Sequence, residues 1–343
     1  MNVINLNTMT LVVCGVISIG LMVLCADISV NKLAGLAGYF RLSTVFIGVT
    51  VISLATSIPE IVAHFTASVG ILEGFYNYEI SSAVVLGANI GSNVVQQTLI
   101  LGIVVYIAGC LHFKRYFLWK SLVPMIATHA ICLILGWDGT FSRMDGLLLF
   151  TLFIGYNAFL YNDERKYYRE EDHGFNGDDD IPEGVPLNGK QVLIDSTISI
   201  FVILITIACS IVVLQITEKI VVLTGLGGSL IGVITLGVAS ALPELTTALS
   251  GIKNGDSGIT LGTLVGSNVT NPLVAIGGGA MISTYWVPRG LLHWDLPWEI
   301  ITGCLLWMIL WFNEGKANKK IAVYLMVIYF VYVGFRMRYF GTD

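Results

Sequence analysis

Residues 55–60 read ATSIPE, and residues 239–244 read ASALPE. A second segment also occurs twice, as LGANIGSNV at residues 86–94 and as LGTLVGSNV at residues 261–269. The two segments follow one another in the same order each time and lie in apolar surroundings, so the chain contains an internal repeat.

The composition is that of a membrane protein. Of the 343 residues, 55% are hydrophobic and 12% are charged, whereas soluble proteins have about 45–50% and about 25%. This excludes a cytosolic enzyme and predicts a polytopic protein whose partner is the lipid bilayer. The net charge of −5 gives no indication of a nucleic-acid partner, and no protein partner is inferred. The six cysteines have no CxxC spacing, so we expect neither a disulfide framework nor a cysteine metal site.

Ten apolar stretches approach or exceed the length of about 20 residues that crosses a bilayer as a helix. We therefore predict an all-α polytopic membrane protein with ten transmembrane helices at residues 9–30, 40–68, 82–110, 118–136, 144–161, 193–216, 221–250, 258–284, 297–313 and 321–339. A polar, acidic stretch with two prolines separates the fifth span from the sixth and is interpreted as a linker. The predicted division is a first five-helix repeat at 1–161, a linker at 162–192 and a second five-helix repeat at 193–343.

The distribution of basic residues predicts the orientation in the membrane. With the N-terminus outside, 13 of the 18 Lys and Arg residues lie on the inner side. We therefore predict a multi-pass protein of the cell membrane with both termini outside and the acidic linker in the cytoplasm. Because each half has an odd number of spans, the second half crosses the membrane in the opposite sense to the first. Such inverted repeats are typical of secondary transporters.

Two acids, Glu60 and Glu244, are predicted to lie deep inside spans. An ionised side chain there costs at least about 2.5–3.5 kcal/mol, which favours a functional role. Each acid follows a proline, which breaks or kinks the helix and frees backbone carbonyls that bind a hard cation. Ca²⁺ takes about six to eight oxygen ligands, and these motifs offer carboxylates, carbonyls and hydroxyls. The remaining acids of the spans are expected at span ends: Asp27, Asp145, Asp195 and Glu299.

The repeated motifs resemble the alpha-repeats of the calcium/cation antiporter superfamily, and most closely those of its sodium/calcium exchanger branch. The resemblance covers residues 45–105 and 230–280. It implies ten helices in which spans two, three, seven and eight form an ion-binding core with broken helices. Spans one and six would lie across this core and slide to switch access. The short linker indicates a minimal, prokaryotic-type member.

The resemblance also implies a set of ion ligands, with Glu60 and Glu244 holding calcium. The further ligands that it implies are Thr56 and Ser240 for calcium, and Ser57, Ser92 and Ser267 for sodium. Four residues after each of the last two serines the family commonly has Asn or Asp, whereas this chain has Gln96 and Asn271. The counterpart of Ser57 is Ala241, which has no side-chain oxygen. Calcium binding is therefore expected, while sodium coupling and its stoichiometry stay open.

The leading hypothesis is an antiporter that exports Ca²⁺ in exchange for Na⁺ by alternating access. A proton-driven exchanger and a carrier of Mg²⁺, Mn²⁺ or another divalent cation are the alternatives within transport. A cation channel is the alternative of a different class, although an acid pair at the midplane of inverted repeats favours a site that can be occluded. An intramembrane hydrolase lacks its motifs here, so we predict no enzyme and no cofactor: Ca²⁺ and Na⁺ (or H⁺) are transported ions.

Two histidines lie inside spans. His64 follows Glu60 by four residues and so lies one helical turn away on the same face. Its ring either packs against a neighbouring helix or exchanges protons with Glu60, since histidine titrates in the physiological pH range. His129 in the fourth span is interpreted as a packed, hydrogen-bonded side chain.

Overall fold

The computed structural model describes residues 8–39, 47–170, 189–253 and 257–343. Ten long helical segments run through these residues: α1 (Thr8–Tyr39), α2 (47–72), α3 (Tyr78–Ala108), α4 (Arg115–Asp138), α5 (Arg143–Glu170), α6 (Gly189–Thr224), α7 (Gly228–Lys253), α8 (257–282), α9 (Leu291–Phe312) and α10 (Lys319–Tyr339). Among the described residues, seven of these are long and apolar enough to cross a membrane. The protein is thus an all-α, multi-pass membrane protein, as predicted.

The predicted spans correspond to these helices, with shifted ends. The sixth helix continues to Thr224, and the seventh begins after a turn at Gly225, where φ is +68°. The ninth helix begins at Leu291 instead of residue 297, because a wide helical turn continues directly into it. The prediction that Glu299 lies at a span end was therefore wrong, since this residue lies about two turns inside α9 and is fully buried. Residues 171–188 of the predicted linker lie outside the described part of the chain.

Wide, π-type turns interrupt the helices at matching positions of the two halves. In the first half they occupy Ile47–Ile52, Gln96–Ile100 and Leu118–Leu122. Their counterparts in the second half are Gly232–Leu236, Asn271–Ile276 and Leu291–Asp295. Such turns interrupt the regular hydrogen-bond ladder and occur often at functional sites. The repeat that the sequence shows over four short segments therefore extends over three successive helices of each half, α2 to α4 and α7 to α9.

Two short strand pairs join the halves and reveal their relationship. β1 (Cys110–His112) pairs antiparallel with β4 (Lys316–Asn318), and β2 (Thr140–Phe141) pairs antiparallel with β3 (Tyr285–Trp286). β1 and β2 flank α4, so the two ribbons lie at opposite ends of the molecule. β1 follows α3 and β3 follows α8, so these equivalent helices end at opposite sides. The two five-helix halves are therefore inverted with respect to each other.

Glycines bring the central helices into backbone contact. A Cβ atom added to Gly91 of α3 would lie 2.6 Å from the Cα of Val233 in α7, and one added to Gly266 of α8 would lie 2.6 Å from the carbonyl oxygen of Val49 in α2. Only glycine permits these approaches, because real Cβ contacts are longer. The four helices that carry the repeated motifs thus form one tightly packed core.

Helices α1 and α6 pack against each other beside this core. Lys32 of α1 and Asp195 of α6 form an ion pair of 2.9 Å. At its other end α6 contacts the core through Glu218. The Glu218 carboxylate accepts hydrogen bonds from the Ser81 hydroxyl (2.5 Å) and from the backbone N–H of Asn77 (2.9 Å) at the start of α3. An ion pair thus joins α1 to α6 at one end of α6, and hydrogen bonds join α6 to the core at its other end.

Candidate functional site

The two Pro-Glu segments place their acids at helix breaks in the centre of the core. One helical stretch of α2 ends at Thr56 and the next begins at Ile58, with Ser57 between them at φ −79° and ψ 2°. Ala241 has nearly the same conformation in α7, at φ −81° and ψ −3°. A proline two residues later has no N–H to donate, so the carbonyls of Ala55 and Ala239, four residues before the prolines, lose their usual helical donors. They accept instead from the N–H groups of Ser57 and Ala241.

Glu60 and Glu244 are buried, with exposed fractions of 3% and 0%. Ser92 of α3 donates a hydrogen bond of 2.9 Å to one oxygen of Glu60. The other oxygen of Glu60 and both oxygens of Glu244 have no hydrogen-bond partner among the described residues. The two carboxyls are also close enough to repel one another when both are ionised. Buried carboxylates without partners are costly unless a cation or a proton compensates them.

The predicted hydroxyl ligands lie around these acids, and all but one are fully buried. Thr56 and Ser267 bring their hydroxyl oxygens to 3.1 Å from each other across α2 and α8. The Ser57 hydroxyl has no partner in the described chain. Ser240 is half-buried and is 3.4 Å from the carbonyl oxygen of Gly237, within its own helix. The structure therefore brings the predicted hydroxyl-bearing residues of both repeats to one central region.

A ladder of amide side chains joins α3 to α8 next to the hydroxyls. Gln96 donates to the Ser92 hydroxyl (2.9 Å) and accepts from Asn268 (3.0 Å). Asn271 donates to Asn93 (3.1 Å). The side-chain oxygen of Asn271 has no partner among the described residues, so it is an available cation ligand. Gln96 and Asn271 thus belong to the central network as neutral groups, where an acid would have added a third negative charge.

A pocket leads to one face of this region. It is lined by apolar side chains of α1, α6 and α7 and reaches Glu60 and Ser240. Its lining residues on α3 and α7 lie in the first half of each helix, and those on α6 lie in its second half. The pocket therefore lies towards the end of the molecule where α6 ends and α7 begins. Ser240 is half-buried, whereas its repeat counterpart Thr56 is 0% exposed, so access to the site is one-sided.

His64 lies one turn beyond Glu60, as predicted from the spacing, but its contacts lie elsewhere. Its Nδ1 is 3.1 Å from the Tyr285 hydroxyl, which donates back to the His64 carbonyl oxygen (3.0 Å). Ser68 lies 2.5 Å from the same hydroxyl. In the described part of the chain, the ring makes no hydrogen bond to Glu60.

Sequence reasoning missed a group of buried charges on α9. Asp295 and Arg336 of α10 form an ion pair of 2.9 Å, and both side chains are 0% exposed. Glu299, one turn later, is also fully buried and lies near His129 of α4. The signal in the sequence was the pair of acids in a Trp-rich segment, of which Glu299 was expected only at the end of a span.

Two inverted halves with acid-bearing helix breaks at their centre define a polytopic membrane protein of the secondary-transporter class. The family described as "Sodium/calcium exchanger protein" matches residues 10–162 and 196–338, so the match spans most of both halves. The chain belongs to this family and hence to the calcium/cation antiporter superfamily, as predicted. The family is one of exchangers, which are transporters.

Several known proteins are similar over nearly their whole lengths. The inner membrane protein YrbG of Escherichia coli (strain K12) is 23% identical over 321 residues, covering 90% of this chain and 91% of that protein. The sodium/calcium exchanger MaX1 of Methanosarcina acetivorans is 22% identical over 339 residues, covering 89% and 92%.

A solved structure of the sodium-calcium exchanger NCX_Mj, soaked with 2.5 mM Na⁺ and 0.1 mM Ca²⁺, superimposes with a TM-score of 0.62 at 20% identity. It covers 94% of this chain and 96% of the solved chain. This likeness confirms the predicted fold of ten helices in two inverted five-helix repeats.

Proposed function

We propose that the protein is a secondary active antiporter that exports Ca²⁺ across a cell membrane in exchange for Na⁺ by alternating access. The observation that carries the proposal is the pair Glu60 and Glu244. Inverted repeats bring both acids to one buried site, where three of their four oxygens have no hydrogen-bond partner in the described residues. Family membership supports cation antiport.

The donor set suits calcium. Two carboxylates balance the charge of one Ca²⁺, and we infer that backbone carbonyls beside the helix breaks at Ser57 and Ala241 contribute further oxygens through their second lone pairs. The unpartnered oxygens of Ser57 and Asn271 add neutral ligands. Hard oxygens of several kinds in a flexible arrangement are what Ca²⁺ requires, at about six to eight ligands. We infer that Thr56 and Ser240 complete this site.

Sodium is the proposed counter-ion because hydroxyl oxygens flank the acids on both sides. Ser92 contacts Glu60, and Ser267 lies 3.1 Å from Thr56. Two Na⁺ would balance the same two carboxylates that balance one Ca²⁺. Protons are the second candidate, because Gln96 and Asn271 provide no third negative charge, and two close carboxyls also bind H⁺ when no cation is present.

We further propose the orientation that the basic residues predict, with both termini outside and the linker at 162–192 in the cytoplasm between repeats at 1–161 and 193–343. In this orientation the pocket beside Glu60 and Ser240 faces the outside. Since Thr56 is fully buried while Ser240 is not, the described conformation offers its site to the outer side. Sliding of α1 and α6 over the core would expose the other face.

The test is ⁴⁵Ca²⁺ uptake into proteoliposomes with an imposed Na⁺, H⁺ or K⁺ gradient. We expect uptake with the Na⁺ gradient only, and none after Glu60→Gln or Glu244→Gln, because either change removes one of two balancing charges. Glu314→Gln is the matched control, because Glu314 is 79% exposed in its side chain and far from the site in sequence. Ca²⁺ flux without any counter-ion gradient would indicate a channel, and full activity of either site variant would refute the site.

A further inference from the structure

A second pair of ionisable side chains is buried outside the ion site. Glu299 of α9 and His129 of α4 are both 0% exposed, and His129 Nδ1 lies 3.9 Å from a carboxyl oxygen of Glu299. Among the described residues, the two carboxyl oxygens of Glu299 have no hydrogen-bond partner, and His129 Nδ1 has none either. The two groups therefore face each other across a short gap with their polar atoms unsatisfied.

The other ring nitrogen determines which protons the pair holds. His129 Nε2 lies 3.2 Å from the backbone carbonyl oxygen of Asn268 in α8. A carbonyl only accepts hydrogen bonds, so Nε2 carries a proton. In the neutral ring Nδ1 then presents a lone pair towards Glu299. An ionised Glu299 would oppose that lone pair with another acceptor, whereas one added proton, on the carboxyl or on Nδ1, satisfies both groups.

The surroundings leave His129 as the group that compensates Glu299. Asp295, one turn earlier on α9, is already paired with Arg336 at 2.9 Å. The remaining groups that face Glu299 are uncharged side chains: Cys132 on α4, Asn93 on α3 and Tyr332 on α10. A buried carboxylate without a partner is strongly disfavoured, and within the described chain no other cationic group lies at ion-pair distance.

Hydrogen bonds connect the pair to the ion site. His129 contacts the backbone of Asn268, whose side chain donates to Gln96 at 3.0 Å. Gln96 donates to Ser92 and Ser92 donates to Glu60, each at 2.9 Å. Each step joins a neighbouring pair of groups, from α4 through α8 and α3 to α2. A change of charge at His129 therefore acts on the same network that holds Glu60.

We propose that Glu299 and His129 form a proton-binding site, separate from the Glu60 and Glu244 site, whose bound proton is coupled to cation binding. The coupling rests on the proposed function, whereas the proton site itself does not. The ligand is H⁺, held on the carboxyl or on the imidazole, and deprotonation leaves an uncompensated negative charge beside the amide ladder.

The proton site is tested by spectroscopy on the full chain in liposomes. At pH 6 we expect one of two signals: a protonated-carboxyl C=O infrared band, shifted in ²H₂O and absent from Glu299→Gln, or an imidazolium ¹⁵N signal absent from His129→Asn. Glu314→Gln and His293→Asn are the matched controls, since both residues are exposed. The infrared spectra are recorded in a Glu60→Gln/Glu244→Gln background, which removes the carboxyl bands of the other site. Absence of both signals overturns the proposal. If Glu299→Gln does not fold, Glu299→Asp replaces it, and its band must move.

The coupling is tested by equilibrium ⁴⁵Ca²⁺ binding at pH 6 and pH 8. We expect the ratio of the two dissociation constants to change by about fivefold or more in His129→Asn, the lower end of typical coupling between sites, and to stay as in the parent in His293→Asn. An unchanged ratio in His129→Asn overturns the coupling. A parent protein that binds no Ca²⁺ overturns the proposed function and the coupling together, while the spectroscopic signals still decide the proton site.

Discussion

Ser92 donates a hydrogen bond of 2.9 Å to one oxygen of Glu60, whereas the Ser267 hydroxyl lies near the repeat-related Glu244 but makes no bond of such geometry to either of its oxygens. Ser267 donates instead to the Thr263 carbonyl within its own helix, at 2.9 Å. The two acids of an approximately symmetric site are therefore in different environments. This difference coincides with the one-sided pocket, which reaches Glu60 and not Glu244. Asymmetry between equivalent residues is what one end state of an alternating-access cycle requires.

The first prediction concerns the Ser92 hydroxyl. In Ser92→Ala, Glu60 loses its donor and the Gln96 amide loses an acceptor, and hydrogen bonds to charged groups contribute about 1.5–3 kcal/mol. We expect the Na⁺ concentration for half-maximal Ca²⁺ exchange to rise by about tenfold or more. The control is Ser82→Ala, because Ser82 is also buried on α3 but its hydroxyl has no partner in the described residues. Equal Na⁺ dependence of the two variants would contradict the assignment.

How far the sequence predicts this site depends on the kind of signal. Glu60 and Glu244 were predictable because a Pro-Glu pair recurs inside two apolar spans, where acids are rare. Glu299 was not, because a polar His-Trp-Asp segment before it resembles a membrane interface. The structure continues the helix through that segment, because the charge of Asp295 is neutralised by Arg336, which lies 41 residues away. Such a pairing depends on the packing of α9 against α10 and has no local signature.

The arrangement of the helices likewise has one feature that the sequence predicts and one that it does not. The inverted topology was predicted by counting spans and basic residues. The strand pairs β1–β4 and β2–β3, which lie at opposite ends of the molecule, confirm it. The wide turns at Gln96–Ile100 and Asn271–Ile276 were not predicted, since they have different sequences, QQTLI and NPLVAI. Their matching positions follow from close packing of the repeats, which no single segment specifies.

The second prediction concerns the contact between α6 and the core at Glu218. This carboxylate accepts hydrogen bonds from the Ser81 hydroxyl and from the backbone N–H of Asn77 at the N-terminus of α3. The helix dipole also favours a negative charge at this position. If α6 slides during transport, Glu218→Gln weakens the described conformation and we expect a change of exchange rate by up to about tenfold. Glu73→Gln is the control, because Glu73 is exposed near the same end of the molecule. A rate equal to that of the control would show that this contact does not restrain the movement.

The third prediction separates the two interpretations of His64. Its ring contacts Tyr285, and its side chain is 1% exposed. We therefore expect His64→Ala to lower thermal stability while the pH profile of Ca²⁺ exchange between about pH 5.5 and 8 stays as in the parent. Tyr285→Phe removes the same hydrogen bond and should lower stability in the same direction.

Proton exchange with Glu60 would give the opposite result for His64→Ala. A protonated His64 would repel an arriving Ca²⁺, so exchange would weaken as the pH falls through the range where histidine titrates. The variant would then lose this acid-side inhibition, and the two profiles would separate at low pH. That outcome would assign His64 to the proton-coupled alternative.

The last prediction concerns the charge moved per Ca²⁺. Exporting one Ca²⁺ against a 10⁴-fold gradient and 100 mV costs about 10 kcal/mol, and one Na⁺ entering down a tenfold gradient and the same voltage returns about 3.7 kcal/mol. Three Na⁺ would be needed under those conditions, but a third would leave one positive charge balanced only by neutral groups such as Gln96 and Asn271. We therefore expect two Na⁺ per Ca²⁺ and no net current. A tenfold Na⁺ gradient then sustains a Ca²⁺ gradient of about 100-fold, whatever the voltage. Flux reversal in proteoliposomes, measured with and without a K⁺ diffusion potential, checks this value, and a reversal point that moves with voltage would show that the site holds a third sodium ion.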